Sequence, residues 1–425
     1  MIKRNLPFIV FLILALSVHG LFAQSLTIDQ CYELARKNYP LIKQKELLIR
    51  SMEFTIANAQ SGYLPQVAIY AQATYQSEVT RLPTVPGVST PLVEPLSKDQ
   101  YKIYGEINQS IYDGGAIKNQ ATIQSANTLV EQQKLEVELY KIKERINQIF
   151  FGVLLMDAQL AQVNLLKEDL KTSLAKTESA IRNGTAFKTN ADILQAEILK
   201  SDQRIIEMNA TRKGYLDMLG YFINQPLESG TALEKPNVVL FEKTGDIKRP
   251  ELRLYQFQSD LLGAQYKANT TRNVPKLGFF VQGGYGRPAL NVLKNEFDTY
   301  YLGGFRMNWS LSGFYNSKRD KQLLDVNTQV VNSQKDFFLF NTNLTLKQQS
   351  QEVDKLVQLM AVDNQIIDLR TRIKNTAKSQ HENGVISTND LLRELNAEDA
   401  AKQNLLLHQV QLMLAQYNLQ TTSGN

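Results

Sequence analysis

The sequence has few of the residues that build disulfide frameworks and metal centres. Cys31 is the only cysteine, and the 425 residues include only three histidines. A single cysteine cannot form an internal disulfide, and a site with Cys or His ligands is therefore not expected. The stretch TIDQC around Cys31 lacks the small and apolar residues that precede a lipidated cysteine. We expect Cys31 to be an ordinary helix residue, with a lipid anchor as the minor alternative.

Blocks of like charge are also missing. The net charge is +5, of which Lys3 and Arg4 supply two, and the other charges are interspersed. Nucleic acid needs a basic patch or stripe, so we predict no nucleic-acid partner. No clustered nucleophiles or acid–base pairs stand out, and we predict no enzyme, no catalytic residue, no metal and no cofactor. Isolated carboxylates such as Glu106 are expected to be solvated charges.

Only the N-terminal region contains a long uncharged apolar run. Lys3 and Arg4 precede LPFIVFLILALSV (6–18), and HGLFAQ (19–24) follows it. A transmembrane helix needs roughly 20 apolar residues, so this shorter run predicts a signal peptide over 1–24 rather than an anchor. We expect the mature chain to begin near Gln24 or Ser25. No later stretch is expected to match this run, so membrane insertion would need another device than a helix.

The rest of the chain contains two similar halves. The phrase NGTAFKTNADIL at 183–194 returns as NGVISTNDLL at 383–392, with an offset of 200. INQSIYDGG at 107–115 matches MNWSLSGFY at 307–315 with the same offset. Pro40 and Pro65 correspond to Pro250 and Pro275 with an offset of 210. These offsets predict a first repeat over 25–222 and a second over 248–425. The linker 223–247 is expected to carry a short extended piece at VVLF (238–241).

Each half contains two segments in which apolar and polar residues alternate. Val67, Ile69 and Ala71 alternate with Gln66 and Gln72, as expected for a strand with one apolar and one polar face. The pattern predicts strands at about 64–77, 100–112, 275–286 and 300–312. Each run is about 11 residues, the length with which a tilted strand crosses a bilayer.

The segments around the strands have a helical period. From Leu139 to Val163 apolar residues recur at alternating steps of three and four, which is a heptad seam. We predict long helices at about 115–181 and 315–380 and returning helices at 187–222 and 388–420. Shorter helices are expected near 27–60 and 248–270.

The repeated Asn-Gly phrases lie where a long helix ends and a returning helix begins. Gly184 and Gly384 suit the left-handed conformation that ends a helix, and a following Thr or Ser can cap the next helix. Two interpretations stay open. The phrases are helix hairpins alone, or they form a functional tip about 100 Å from the strands, at 1.5 Å of helix per residue.

The order of these motifs resembles that of the TolC-type outer-membrane efflux proteins. The similarity rests on LTIDQCYELARKNYPLI, on YLPQ before a strand, on QSIYDGG at the end of a strand, and on the two tip phrases RNGTAFKTNADIL and HENGVISTNDLL. The family implies a mixed α and β fold, in which four strands per chain form a trimeric 12-stranded transmembrane β-barrel. A periplasmic α-helical coiled-coil tunnel continues it. Four strands cannot close a barrel alone, since about eight are needed.

This resemblance implies the outer-membrane channel of a tripartite efflux or type I secretion system, a passive exit duct. The implied partners are two further copies in a homotrimer, outer-membrane lipid, a periplasmic adaptor and, through it, an inner-membrane pump. The implied location is the outer membrane, with the tunnel in the periplasm. The alternative is a periplasmic coiled-coil scaffold without channel activity, which would leave four membrane-length strands unexplained. The loops 77–99 and 287–299, the first containing the Pro-rich RLPTVPGVSTPLVEPL (81–96), are expected to face outside.

The resemblance also assigns roles to residues of the two tips. The adaptor-contacting positions fall on Arg182, Asn183, Gly184, Thr185, Asn383, Gly384, Val385, Ile386 and Ser387. The constricting aspartate falls on Asp390, for which a helix-dipole role at the helix start is the alternative. Arg393 stands where a second acidic residue is expected, although Glu394 is adjacent, and Ile386 replaces a gating arginine. Asp192 lies eight residues after Gly184 rather than six, and we do not equate it with Asp390.

Overall fold

The structure is a computed structural model that describes residues 25–80, 95–236 and 246–425. The expected signal peptide, most of the Pro-rich loop at 81–96 and the VVLF segment lie outside the described residues. Their predicted roles therefore stay predictions.

The order of a helix, two strands, a long helix and a returning helix occurs twice, and the first half has one further helix at its start. The elements are α1 (Ile28–Asn38), α2 (Ile42–Gln60), β1 (Gln66–Tyr75), β2 (Asp99–Tyr112), α3 (Ala116–Arg182), α4 (Lys188–Ile223), α5 (Pro250–Thr271), β3 (Lys276–Arg287), β4 (Asp298–Asn308), α6 (Gly313–Glu382) and α7 (Thr388–Ser423). The predicted helix at 27–60 is two helices. Tyr39, which precedes Pro40, is extended with φ −62° and ψ 131°, because proline disfavours the helical conformation in the residue before it.

The described chain divides into two compact units that cut across the two predicted repeats. One, the sheet unit, comprises Lys43–Leu135 and Glu251–Phe337. The other, the helical unit, comprises the segments up to Ile42, Glu136–Pro250 and Phe338–Asn425. Each unit takes segments from both predicted repeats, so that strands from the two halves form a common sheet.

The sheet unit contains one antiparallel sheet in the order β1-β2-β3-β4. Val67 pairs with Ile107 and Ile107 with Val281. Phe279 pairs with Phe305. Since paired residues share a face, this register places the apolar residues of all four strands on the same side. Within the described residues β1 and β4 are edges without a strand neighbour, so the sheet remains open.

The helical unit has its core along the predicted heptad seam. Ile142, Ile146, Ile149, Val153 and Val163 of α3 are all buried. Phe150 and Phe151 pack edge to face beside them, with ring centroids 5.8 Å apart. The seam is therefore a packed interface, as its spacing predicts.

The expectation that no later stretch would match the N-terminal apolar run is wrong for α3 by length and composition. This helix contains an 18-residue window with a mean hydropathy of 1.6, which meets the length and composition of a membrane span. A packed core helix meets the same criteria, and one third of the window is buried in the described chain. The apolar stretch of α3 is interrupted by Asp157 and by Gln and Asn residues, so it does not form an uncharged run like the one at the N-terminus.

Candidate functional site

The apolar face of the sheet is a broad exposed surface. Ile69 of β1 is 78% exposed and Phe305 of β4 is 72% exposed. Other exposed large apolar residues on this face are Val67, Tyr101, Ile103, Ile107, Phe279, Val281, Tyr285, Tyr301 and Met307. A water-soluble surface rarely carries a contiguous apolar patch of this kind.

The opposite face of the sheet is polar and contains a hydrogen-bonded charge cluster. Glu106 is only 6% exposed. It accepts hydrogen bonds from Asn108 Nδ2 at 2.6 Å, from Gln282 Nε2 and from Arg306 Nη1 at 3.1 Å. The Arg306 guanidinium also lies over the Phe280 ring, 4.3 Å from its centroid. The expectation of a solvated Glu106 is therefore wrong, because Asn108 of the same strand, Gln282 of β3 and Arg306 of β4 supply its partners.

Exposed aromatic residues lie at both ends of the sheet. The end that leads to the strand-connecting loops carries Tyr75, Tyr101, Tyr285, Phe297 and Tyr301. The end that leads to the helices carries Tyr63, Tyr112, Trp309, Phe314 and Tyr315. Membrane proteins concentrate Tyr and Trp at the two lipid–water interfaces, where one end of the ring is apolar and the other is wet. The described sheet has this distribution.

The first tip, between α3 and α4, reverses the chain through a left-handed glycine. Gly184 has φ +72°, its N–H donates to Ile181 O at 3.0 Å, and the Thr185 N–H donates to Ala180 O at 2.9 Å. These two bonds form a Schellman motif, which satisfies the last carbonyls of α3. Phe187 occupies the N-cap of the next helix, and its side chain makes no capping hydrogen bond.

The second tip, between α6 and α7, uses the same backbone motif. Gly384 has φ +70°, its N–H donates to His381 O at 3.0 Å, and the Val385 N–H donates to Gln380 O at 2.8 Å. Here, however, the next helix begins with a capping box formed by Ser387 and Asp390. The side-chain cap that the sequence predicted at both tips is therefore present only at the second.

Asp390 has local partners within this chain. Its Oδ2 accepts a hydrogen bond from Ser387 Oγ at 2.7 Å, and its Oδ1 lies 3.4 Å from Arg393 Nη1. The hydrogen bonds from Ser387 and the charge of Arg393 lower the pKa of the Asp390 carboxyl. Arg393 also donates to Glu394 at 3.1 Å. Arg393 is thus an ion-pair partner of both neighbouring acids, Asp390 and Glu394.

The two tips line one groove within the helical unit. The groove has a volume of about 830 Å³ and contains Thr185 and Phe187 from the first tip and Asn383, Gly384, Ile386 and Ser387 from the second. Lys176 of α3 and Glu382 of α6 form an ion pair across it at 2.6 Å. The structure therefore brings together Thr185 with four of the five predicted residues of the second tip.

An apolar cluster supports both tips. It contains Leu166, Leu170, Leu194, Ile198, Ala377, Leu391, Leu392 and Leu395, and Ile386 packs against it. Residues of α3, α4, α6 and α7 thus meet in one core. Ile386 thus fills an apolar position beside this core.

Sequence reasoning missed Phe187. It follows the first tip and is 80% exposed, in a turn whose other residues are small or polar. A large aromatic side chain without local packing is a common anchor in interfaces. The signal was present in NGTAFKTN, where phenylalanine is the only large apolar residue. Asp192, by contrast, is an exposed residue of α4.

The described residues contain no group of three or more His, Cys, Asp or Glu residues arranged to hold a metal ion. Cys31 is buried in α1, and burial raises the pKa of its thiol to about 12. A thiol in this environment is inert, because the thiolate is the reactive form. The expectation that Cys31 is an ordinary helix residue agrees with this position.

Comparison with known proteins gives a family match and several fold matches. The family model for outer membrane efflux proteins matches residues 31–215. A comparison with curated proteins finds no match.

Solved outer-membrane channels share the fold over nearly the whole chain. The outer membrane protein VceC from Vibrio cholerae has 12% identity and a TM-score of 0.62, with 94% of this chain and 96% of that chain covered. The CmeC channel from Campylobacter jejuni has 13% identity and a TM-score of 0.62, with 93% and 85% covered. The open MtrE channel from Neisseria gonorrhoeae has 11% identity and a TM-score of 0.59, with 94% and 89% covered.

These identities are low, and the structural matches therefore establish the fold alone. The family match adds sequence support over most of the first predicted repeat, including the first tip. The mixed α and β fold predicted from the sequence is confirmed, and so is the resemblance of this chain to the TolC-type outer-membrane efflux proteins.

Proposed function

We propose that this protein is the outer-membrane channel of a tripartite efflux or type I secretion system. The observation that carries the proposal is the two-faced sheet, with an exposed apolar side, a polar side and aromatic residues at both ends. Such a sheet is stable in a bilayer only when its edges are paired, because lipid offers no hydrogen bonds to an open edge. The polar side then lines an aqueous duct.

Pairing of the β1 and β4 edges between copies would close the barrel. Three copies supply twelve strands, which is within the range of outer-membrane barrels, whereas four strands are too few.

The exposed surface of α6 favours self-association as well. Within each unit, exposed apolar residues of α6 recur at steps of three, four and seven. In the sheet unit they are Leu323, Val326, Val330 and Phe337. In the helical unit they are the pairs Phe340 with Leu344, Val362 with Ile366 and Leu369 with Ile373. This spacing is that of an unpartnered coiled-coil seam.

The tips are proposed to contact a periplasmic adaptor. Beside the groove that they share, Asn183, Gly184, Asn383 and Gly384 are exposed. Two apolar side chains are exposed there as well, Val385 and Phe187. Energy for transport would come from an inner-membrane pump linked through that adaptor, and the chain itself would perform no chemistry.

Asp390 is proposed to constrict the duct. In a threefold assembly one carboxylate per chain becomes three around a common axis. Such a ring would attract cations at the narrow end of the tunnel, in addition to the capping bond that Asp390 makes within its own chain.

A periplasmic scaffold without channel activity is the alternative. It would use the helices but would expose the apolar face of the sheet to water, which is unfavourable by about 25 cal/mol per Å² of apolar surface. The sheet therefore favours the duct.

Fractionation and detergent stability test this proposal. The mature protein should sediment with the outer membrane and should migrate as a trimer in mild SDS before boiling. An affinity tag inserted near Gly87 should be accessible to antibody on intact cells. A monomer in the soluble periplasmic fraction would support the scaffold, and labelling only after lysis would reverse the assigned topology.

A further inference from the structure

The β3–β4 loop, residues 288–297, has an apolar surface of its own. Leu290, Val292 and Leu293 are 55%, 53% and 49% exposed. Their neighbours Asn291 and Lys294 are exposed polar residues. Large aliphatic side chains concentrated in a short exposed loop mark a surface that another phase or molecule covers.

The loop is held in a defined conformation. Ser97 N–H donates to Asn295 Oδ1 at 3.0 Å, and Asn295 Nδ2 donates to Ser97 Oγ at 3.0 Å. Leu293 N–H donates to Asn291 Oδ1 at 3.0 Å. These bonds tie the loop to the residues before β2 and close a turn inside it. The exposed side chains therefore belong to an ordered surface.

The loop joins the apolar face of the sheet through Phe297, its last residue. The Phe297 ring stacks on Tyr285 with centroids 5.4 Å apart and lies 6.3 Å from the Tyr101 centroid. Tyr285 and Tyr101 are both on the apolar face. The aromatic layer at this end thus connects the strands to the loop, and it encloses the charged pair of Arg287 and Asp99.

The one cation inside this described aromatic layer is neutralised. Arg287 Nη2 pairs with Asp99 Oδ2 at 2.5 Å. The guanidinium also lies over the rings of Phe297, at 5.2 Å, and Tyr101, at 5.6 Å. A paired, ring-covered arginine suits a lipid interface, where an unpaired charge would lose hydration.

We propose that the β3–β4 loop dips into the outer leaflet and binds lipid through Leu290, Val292 and Leu293. The inference rests on the proposed function, since the apolar face of the sheet must itself contact lipid. Its occupant is the acyl-chain boundary of the bilayer, because Phe297 joins the loop to the face that the bilayer covers. The loop is then a membrane contact beyond the ends of the strands.

The single tryptophan of the chain allows a direct test. Trp309 lies at the opposite end of the apolar face and reports whether the sheet is in lipid. In a Trp309→Phe background, Leu293→Trp and Val292→Trp place the probe in the loop. Leu302→Trp is the matched control, because Leu302 is 43% exposed but pairs with Gln282 on the polar face. Each protein is reconstituted in vesicles of phosphatidylcholine with brominated acyl chains, and aqueous acrylamide is the second quencher.

The proposal predicts that brominated lipid quenches both loop probes about as strongly as it quenches the parental Trp309, and that their emission is blue-shifted. Acrylamide should quench mainly the Leu302→Trp probe. Quenching of both loop probes by acrylamide rather than lipid would overturn the proposal, and so would protection from both quenchers, which would indicate protein covering the loop. Failure of lipid to quench Trp309 would instead contradict the membrane position of the sheet.

Discussion

The two hairpin tips share a backbone and differ in side chains. Both use a Schellman motif around a glycine near φ +70°, and both rest on the same apolar cluster. After the turn, the first tip presents an exposed Phe187 without a capping bond, whereas the second closes a capping box through Ser387 and Asp390. The shared backbone reflects a need of the fold, since a long helix must reverse sharply in each half.

The side chains that differ between the two tips are not required by the shared backbone turn. A capping box like that of the second tip stabilises the start of a helix. The first tip lacks this stabilisation and has the exposed ring of Phe187 at the N-cap instead. A residue that leaves a helix start uncapped and whose side chain is mostly exposed is a candidate for contact with a partner. We infer that the first tip contributes the apolar anchor of the proposed adaptor site. In the same proposal the second tip, with its capping box, forms the other side of the site.

The largest expected effect lies in the core that the tips share. Leu194→Ala and Leu391→Ala should each destabilise the tips by about 2–5 kcal/mol, because each truncates a fully buried leucine. Hydrogen exchange of the tip amides in the purified protein measures the change. Leu165→Ala, at an exposed position of α3, is the control. Loosening confined to one tip by both core variants would contradict the shared core.

Substitution of the glycines should affect both tips equally. Gly184→Val and Gly384→Val place a β-branched residue at positive φ, at a cost of about 1–2 kcal/mol that hydrogen exchange of the tip amides measures. A Cβ meets no atom within 4 Å at either glycine, so crowding adds nothing. Gly184→Asn and Gly384→Asn tolerate the left-handed conformation and are the controls.

If the tips dock an adaptor, the same Gly184 and Gly384 variants should also differ in export. The valine variants should lose export in cells and retain trimers in the outer membrane, while the asparagine variants should retain both. Loss of the trimer itself in the valine variants would support hairpins with a purely structural role.

Capping variants should separate the two tips. Ser387→Ala removes a capping acceptor and should weaken the start of α7 by about 1 kcal/mol, whereas Phe187→Ser should strengthen the start of α4 by a similar amount. Amide exchange in the first turn of each helix measures both changes. The same Phe187→Ser variant should reduce export if the ring contacts the adaptor. Phe187→Tyr keeps the ring and is the control, and undiminished export in Phe187→Ser would remove Phe187 from the docking site.

The smallest effect concerns Asp390 and its pH dependence. Because the folded state lowers the pKa of this carboxyl, its stabilising contribution is present above the ordinary aspartate value of 3.8 and is lost as pH falls through the lowered value. A helix-start role therefore predicts that Asp390→Asn is mildly destabilising down to that range and indistinguishable from the parent below it. Thermal unfolding of parent and variant as a function of pH measures the difference.

The constriction role predicts the opposite displacement of the pKa. Three carboxylates near one axis raise one another's pKa and attract cations. In planar bilayers Asp390→Ala should then weaken block by divalent cations at neutral pH. As pH falls, the difference from the parent should fade already above the ordinary aspartate range. Equal block of mutant and parent at pH 7 would leave Asp390 a capping residue.

Local pattern predicted much of this architecture. The two-residue period located all four strands, and the heptad seam from Leu139 located the core of α3, because both periods are properties of contiguous sequence. The break between α1 and α2 was missed although Pro40 marked it. The strand ends differ by a few residues, since β1 stops at Tyr75 rather than 77.

Features that depend on distant residues could not be predicted in the same way. Glu106 obtains two of its partners from Gln282 and Arg306, which only the strand register brings beside it. The common groove of the tips requires the packing of four helices around Leu194 and Leu391. The tip positions were predicted from the Asn-Gly phrases, but their adaptor contacts and the constriction at Asp390 stay predictions.

The central claim is that the open edges of the sheet pair between copies to close a barrel. In a Cys31→Ala background, Gly303→Cys of β4 is combined in turn with Ile69→Cys, Ala71→Cys or Ala73→Cys on the same face of β1. Neighbouring strands place facing Cβ atoms about 5 Å apart, within reach of a disulfide. We predict that one register yields covalent dimers and trimers in isolated outer membranes, which resolve to monomers on reduction. Monomers alone, across every register along β1, would contradict the account.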